Sequence, residues 1–284
     1  MRLIDSRHVF TLALKDKFAI PAFNAHNMEM LQAAVMAAAE VESPVIIQIS
    51  EKTISYAGLE TMAAICQAAA KQYGVPVVLH LDHSKNLNTI ESCLRAGYTS
   101  IMADGSELSY EANVDFVRRA VSLARLYGAS VEAELGRIGG VEDDYVNDDT
   151  YLTAPELALE FVHETGIQCL APSVGNQHGM YVNEVSLDFD RITAISQITQ
   201  IPLALHGGSG ILPEDLTRAI RCGIAKLNIG TELKIIFANA LRSQLTDITN
   251  VQPWDYIHCA RTELVHYMRQ KFIDIGAVGI LSKL

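Results

Sequence analysis

Three polar side chains fall within four positions at the end of one apolar run: His80, Asp82 and His83 in VPVVLHLDHSKN, residues 75–86. By the two-residue period of an extended chain, His80 and Asp82 share a face, and His83 sits where the strand gives way to a loop. A carboxylate beside an imidazole at a strand end suits metal-assisted proton transfer, in which the metal stabilises developing charge and the carboxylate moves a proton. A buried ion pair is the structural alternative for the same residues. Two further histidines stand in comparable settings, His178 in GNQHG and His206 in LHGGSG. Three neutral imidazoles with an open position, from His83, His178 and His206, make a catalytic divalent-metal site, most often zinc. Taken singly, each reads as a satisfied structural histidine. His8, His163, His258 and His266 lie in helical stretches as surface or cap residues, His26 is undecided, and His80 lies one layer deeper.

Two glycine-bearing turns, His206-Gly207-Gly208-Ser209-Gly210 and Asn228-Ile229-Gly230-Thr231, each lead into a helical stretch. Glycines admit backbone N–H groups close to an anion, and helix N-termini favour negative charge, so the pair reads as a phosphate site. Either alone reads as a plain turn. The stretch Gly139-Gly140-Val141-Glu142-Asp143-Asp144, continuing to Asp149, reads two ways. It is a hinged lid whose Glu142 supplies a general acid or base, or a solvated acidic loop.

The elements that must position these groups repeat: a short apolar run, a polar end, a helical window. The runs are Phe18–Asn24, Pro44–Ser50, Val75–Asp82, Ser100–Gly105, Ser130–Gly136, Cys169–Gly175, Pro202–Gly208 and Ala225–Gly230. A helix capped by Ser6 precedes them, and Pro253–Ile275 reads as an amphipathic helix that packs on the barrel or on another subunit. Eight strands alternating with helices predict a (β/α)8 TIM barrel occupying residues 1–284 as a single domain, with a short N-terminal helix and a C-terminal helical extension. A doubly wound sheet is the competitor, but no GxGxxG follows the first run. Barrels gather function at strand C-termini. There the sequence places Asn24, Ser50, Asp82 with His83, Asp104, Glu132 with Glu134, His206 and Asn228, with His178 just past the sixth run.

The totals set bounds. The chain has 284 residues, 49% of them hydrophobic, and a formal net charge of -11 from 22 basic and 33 acidic residues. A sizeable core is affordable in length, and the acidic balance argues against nucleic acid and against anionic membrane surfaces as partners. Cys66, Cys93, Cys169, Cys222 and Cys259 are scattered without a CxxC pair, which predicts reduced thiols and a cytoplasmic location. No apolar leader or membrane-length run is present.

HLDH, the DGS of residues 104–106, VEAELGRIGGVEDD, GNQHG, LHGGSG and KLNIGTEL stand in the order and spacing of the class II, zinc-dependent ketose-bisphosphate aldolases. The chain resembles that family from about Phe18 to Leu241, and its short form looks like the tagatose-1,6-bisphosphate aldolase branch. The resemblance implies an aldehyde-lyase with one catalytic Zn2+ held by His83, His178 and His206, with Glu134 a carboxylate near the metal. An additional monovalent cation is left open. It implies that Asp82 is the proton-transferring carboxylate, with Glu142 and Asn228 completing the catalytic set. Phosphate and ketone contacts are implied from Gly179, Gly207, Gly208, Ser209, Asn228, Ile229, Gly230 and Thr231, with Asn24 and Ser50 as further substrate contacts. The expected substrate is a ketose 1,6-bisphosphate of tagatose or fructose type, cleaved to dihydroxyacetone phosphate and an aldehyde. A homo-oligomer, dimer or tetramer, and a stabilising partner subunit are expected partners. HLDH is followed here by Ser84-Lys85, where a second histidine is common, which touches the mouth of the site.

Rival readings stay open at this point. A Schiff-base aldolase needs a desolvated lysine, and Lys226 shares strand parity with Asn228. A metal-dependent hydrolase barrel lacks its HxH pair on the first strand. An aldolase for another ketose 1-phosphate and a non-catalytic sugar-phosphate-binding subunit are the remaining alternatives. The sequence displays no second phosphate clamp, so the aldehyde half of the substrate is unassigned.

Overall fold

All eight apolar runs are strands of one closed parallel barrel in the computed structural model of the chain, which describes residues 3–142, 145–147, 150–180, 186–246 and 252–284. In chain order the elements begin α1 (Arg7–Asp16), β1 (Ile20–Asn24), α2 (Met28–Glu40), β2 (Val45–Ser50), α3 (Glu51–Ala57), α4 (Leu59–Tyr73), β3 (Val77–Ser84) and α5 (Leu87–Arg95). They continue with β4 (Ser100–Ala103), α6 (Tyr110–Tyr127), β5 (Ser130–Leu135), β6 (Gly139–Glu142), β7 (Tyr145–Asn147), α7 (Pro155–Thr165), β8 (Cys169–Pro172) and β9 (Gln177–His178). The chain closes through α8 (Phe189–Thr199), β10 (Leu203–Leu205), α9 (Pro213–Cys222), β11 (Ile224–Ile229), α10 (Thr231–Gln244) and α11 (Pro253–Asp274). Around the barrel the strands run β1-β11-β10-β8-β5-β4-β3-β2. This is a (β/α)8 TIM barrel.

The local chemistry explains the boundaries. Asn27, Ser50, Asn86, Ser109 and Asp188 accept backbone N–H bonds at the starts of α2, α3, α5, α6 and α8, and proline opens α7, α9 and α11. Both faces of the strands are covered, so Ile46, Ile47 and Ile49 of β2 are all buried. Each such side chain contributes roughly 1.5–3 kcal/mol. The helix α11 packs on α2 and α10, where Arg261 donates to Gln32 at 2.7 Å. Among the described residues, no helix is long and apolar enough to cross a membrane.

Four local expectations change. Ser6 stands at the start of α1 but does not cap it, because its hydroxyl meets Ser130 Oγ at 2.7 Å instead. The short helix α3 follows β2 directly, and Gly58 separates it from α4. The strand β3 runs on to Ser84, with His83 at φ 46° inside it, and its pairing with β4 shifts register between Leu81 and Ser84. That bulge lets neighbouring residues Asp82 and His83 both serve the barrel mouth, which strict alternation forbids. The stretch read as a hinged lid or acidic loop is extended chain in part. β6 pairs antiparallel with β7 and parallel with β9 in a small three-stranded sheet. Asp143, Asp144, Asp148 and Asp149 of the acidic run lie outside the described residues.

Candidate active site

His83 from the β3 bulge, His178 from β9 and His206 just beyond β10 converge, each offering one ring nitrogen within 4.8 Å of the others. The outer nitrogens of two of these rings are held by carboxylates. His83 Nδ1 lies 2.7 Å from Asp104 Oδ2, and His206 Nε2 lies 2.8 Å from Glu132 Oε1. Burial opposes the charge on both acids, yet both stay well below the usual carboxylate range: the hydrogen bonds from His83 and Ser106 hold Asp104 there, and the Lys226 ammonium with the His206 hydrogen bond holds Glu132. Ionised carboxylates only accept, so those two nitrogens carry the protons. The inner lone pairs, His83 Nε2 and His206 Nδ1, then face each other at 2.9 Å. Two acceptors aimed at each other are a poor pair by themselves and a good pair for a cation. Burial lowers the His206 pKa to about 4 although the Glu132 hydrogen bond pulls the other way, so the ring is neutral at physiological pH, as a ligand must be. The residues therefore fit a divalent metal of the borderline class that imidazole suits.

Glu134 is outside the three-imidazole group; it approaches His83 and Asp104 in a second carboxylate-rich cluster, also within 4.8 Å. Asn176 ties two ligands' segments together by donating to the His206 carbonyl at 3.1 Å while its own oxygen accepts from Val174 N–H at 2.9 Å.

Asp82 is 1% exposed and its Oδ2 accepts from Asn24 Nδ2 at 2.7 Å. Asn24 in turn accepts from Gln48 Nε2 at 3.0 Å, so two amides in series aim the carboxylate. Asn24, His178, Gly179, His206, Gly207, Ser209, Asn228, Gly230 and Thr231 line one cavity at the barrel mouth. Neither side-chain atom of buried Asn228 has a hydrogen-bond partner among the described residues, as expected of a group waiting for a substrate. The close approach at Gly207 (φ 67°) is obligatory, since a Cβ there would enter the carbonyl of Gln177. Three further residues expected as substrate contacts are not among those lining this cavity. Gly208 donates its N–H to the Asn228 carbonyl at 2.8 Å; Ile229 is fully buried in β11; and Ser50 caps α3 by accepting from Thr53 N–H. Glu142 ends β6, opposite Tyr145.

Lys226 is fully buried and clamped by Glu132, with Nζ 2.8 and 3.0 Å from the two carboxylate oxygens. An ammonium held this way is not the free amine that a Schiff base requires. Beside it His80, 3.5 Å from Nζ, bonds Ser100 Oγ at 2.8 Å and is kept neutral by burial and by the Lys226 charge. His80 is thus a core residue under the site. The roles of Asp104, Glu132 and Gln48 escape motif reading; their one signal is a polar residue at or inside an apolar strand.

A family model described as fructose-bisphosphate aldolase class-II matches residues 4–280. Among solved structures, the YdjI aldolase of Escherichia coli K12 is 32% identical with a TM-score of 0.88, each chain covered to 98%. A Coccidioides immitis protein provisionally assigned as a fructose-1,6-bisphosphate aldolase is 30% identical with a TM-score of 0.91, again with 98% of each chain covered. The fructose-bisphosphate aldolase of Campylobacter jejuni is 25% identical with a TM-score of 0.84, covering 98% of this chain and 96% of that one.

Proposed function

Because the chain belongs to the class II fructose-bisphosphate aldolase family, which makes it a carbon–carbon lyase, we propose that it cleaves a ketose 1,6-bisphosphate to dihydroxyacetone phosphate and glyceraldehyde 3-phosphate with zinc held by His83, His178 and His206. The observation that carries this reading is the pair of carboxylate-backed imidazoles whose inner nitrogens face each other beside Asp82. The tagatose-type resemblance adds the C4 epimer to the substrate set, while relatives described as fructose-bisphosphate aldolases favour the fructose type.

When bound, the metal supplies Lewis-acid stabilisation for charge developing on the ketone oxygen. Asp82, aimed by Asn24 and Gln48, takes the proton of the C4 hydroxyl. The C3–C4 bond breaks, the aldehyde leaves, and the electron pair stays on the three-carbon half. Asn228 offers its unused amide to the oxygen where that charge gathers. Glu142, on the strand paired to the His178 segment, returns a proton to C3. The glycine-bearing loops after β10 and β11 hold the 1-phosphate against an unfavourable overall charge of -11.

The test is release of dihydroxyacetone phosphate from fructose 1,6-bisphosphate, tagatose 1,6-bisphosphate and fructose 1-phosphate, with zinc and after EDTA. Cleavage lost with chelator and regained with zinc is the expected result, and its relative rates rank the substrates. Cleavage indifferent to chelator overturns the metal mechanism, and no cleavage of any of the three by zinc-loaded protein overturns the substrate assignment.

A further inference from the structure

The stretch KLNIGTEL carries a glutamate that the proposed reaction does not use. Glu232 is the second residue of α10, the helix that follows the second glycine-bearing loop. A carboxylate is favourable at a helix N-terminus, but beside a bound phosphate it adds repulsion unless it faces away. Gly230, Thr231 and Lys234 line the mouth cavity and Glu232 does not. We propose that Glu232 and Tyr267 of α11 are positioning residues for the phosphate loop, with Tyr267 acting through Glu232 to hold the Ser209-Gly210 turn in its binding shape. The inference rests on the aldolase reading and deepens it.

Two bonds tie the turn to the helix in opposite directions. Glu232 N–H donates to Ser209 Oγ at 3.3 Å, and Gly210 N–H donates to Glu232 Oε2 at 3.0 Å. The pair is reciprocal in the manner of a capping box, each side supplying the other's missing partner. The same Oε2 accepts the Tyr267 hydroxyl and lies 4.0 Å from Lys271 Nζ. Tyr267 and Lys271 stand four apart on α11, hence on one face, with Nζ 5.3 Å from the Tyr267 ring centroid. Burial, joined by the Glu232 charge, pushes the Tyr267 phenol well above its ordinary range, so it stays a donor. The helix behind it is anchored: Phe272 is fully buried, its ring 5.8 Å from Phe23 of β1. A chain of contacts therefore runs from the barrel wall through Tyr267 and Glu232 to a backbone N–H of the phosphate loop. Without the Tyr267 hydroxyl, the carboxylate loses the donor that aims it, and the Gly210 end of the turn loosens. The 1-phosphate is remote from the bond that breaks, so the cost falls on binding in ground and transition states alike.

The experiment uses the zinc-loaded full chain and two readouts: the Kd for dihydroxyacetone phosphate by titration calorimetry, and KM and kcat for the bisphosphate cleaved. Tyr267→Phe removes one oxygen and keeps the ring. It is expected to raise Kd and KM about tenfold, the scale of one hydrogen bond to a charged group. In the same variant kcat changes by less than about twofold and zinc content stays full, a split that a general loss of structure does not produce. Glu232→Ala is expected to raise both constants as well, and adding Tyr267→Phe to it changes them no further, because Tyr267 acts through that carboxylate. Arg261→Met removes the bond from α11 to Gln32 of α2 without touching Glu232, and it leaves Kd and KM at parent values. An equal rise in Arg261→Met makes the effect a consequence of helix docking at large and overturns the proposal. Parent constants in Tyr267→Phe overturn it, and so does a Tyr267→Phe effect of full size in the Glu232→Ala background, while the aldolase reading stands. A parent protein that neither binds dihydroxyacetone phosphate nor cleaves a bisphosphate overturns both.

Discussion

Glu132 Oε1 lies 2.8 Å from His206 Nε2, and the same carboxylate holds Lys226 Nζ at 2.8 Å, all three side chains sealed inside the barrel. The carboxylate thus orients a metal-facing imidazole from beneath while a buried ammonium keeps it ionised. Glu132→Gln retains one acceptor but turns an NH2 toward Lys226. Zinc affinity is expected to fall roughly 10–100-fold, read by competition with a chromogenic chelator. Unaltered affinity would reduce the pair to a structural role.

Lys226→Met leaves the Glu132 charge buried without its ammonium partner. Its unfolding free energy is expected to drop by about 3–5 kcal/mol, and the double variant with Glu132→Gln should lose less than the single, because the unmatched charge is gone. Borohydride in the presence of dihydroxyacetone phosphate should leave the mass of the parent protein unchanged; a trapped adduct on Lys226 would restore the Schiff-base reading.

Asp82→Ala removes the proposed base but no metal-facing nitrogen. The expectation is a kcat lower by about 10²–10⁴ with full zinc content by elemental analysis. Asn24→Ala, which removes one hydrogen bond to that carboxylate and keeps the carboxylate itself, should cost less. Loss of zinc with activity in Asp82→Ala would make Asp82 structural.

Gly140 (φ 105°) abuts the backbone of His178, and a Cβ there would enter the His178 carbonyl. Gly140→Ala is therefore expected to part β6 from β9 and speed zinc release. Gly166 (φ 71°) has nothing within 4 Å of its added Cβ, so Gly166→Ala should cost about 1 kcal/mol of backbone strain with zinc release unaffected. Equal release rates in the two variants would remove β9 from metal binding.

His80 is held neutral by burial and by Lys226. Its folded pKa is depressed below the ordinary value of 6.5, so below that pH the unfolded chain binds a proton that the folded chain refuses. Stability from this group is present above 6.5 and is lost as pH falls. In metal-free protein, urea titrations below that pH should show a slope of unfolding free energy against pH smaller in His80→Asn by up to about 1.4 kcal/mol per pH unit. Parallel curves would mean that His80 protonates in place.

Much of the architecture was readable because barrel strands are buried on both faces and so print as unbroken apolar runs: PVIIQIS and PLALHGG contain β2 and β10. Ser6 and Ser50 show where reading stops. Both are good cap residues by type, yet Ser50 caps α3 and Ser6 bonds Ser130, 124 residues away. A hydroxyl's partner is chosen by what packing brings near, which local preference does not encode.

By itself, then, the sequence determined the alternation of strands and helices, the collection of polar groups at strand ends and the set of histidines, because these depend on periodicity and residue type. Only the tertiary structure decided which of them meet. It put His83 into a bulge beside Asp82, drew His206 from more than a hundred residues away to 2.9 Å from it, and spent Lys226 on Glu132. Barrel closure sets those distances, and closure depends on register and on the long-range packing of every strand at once.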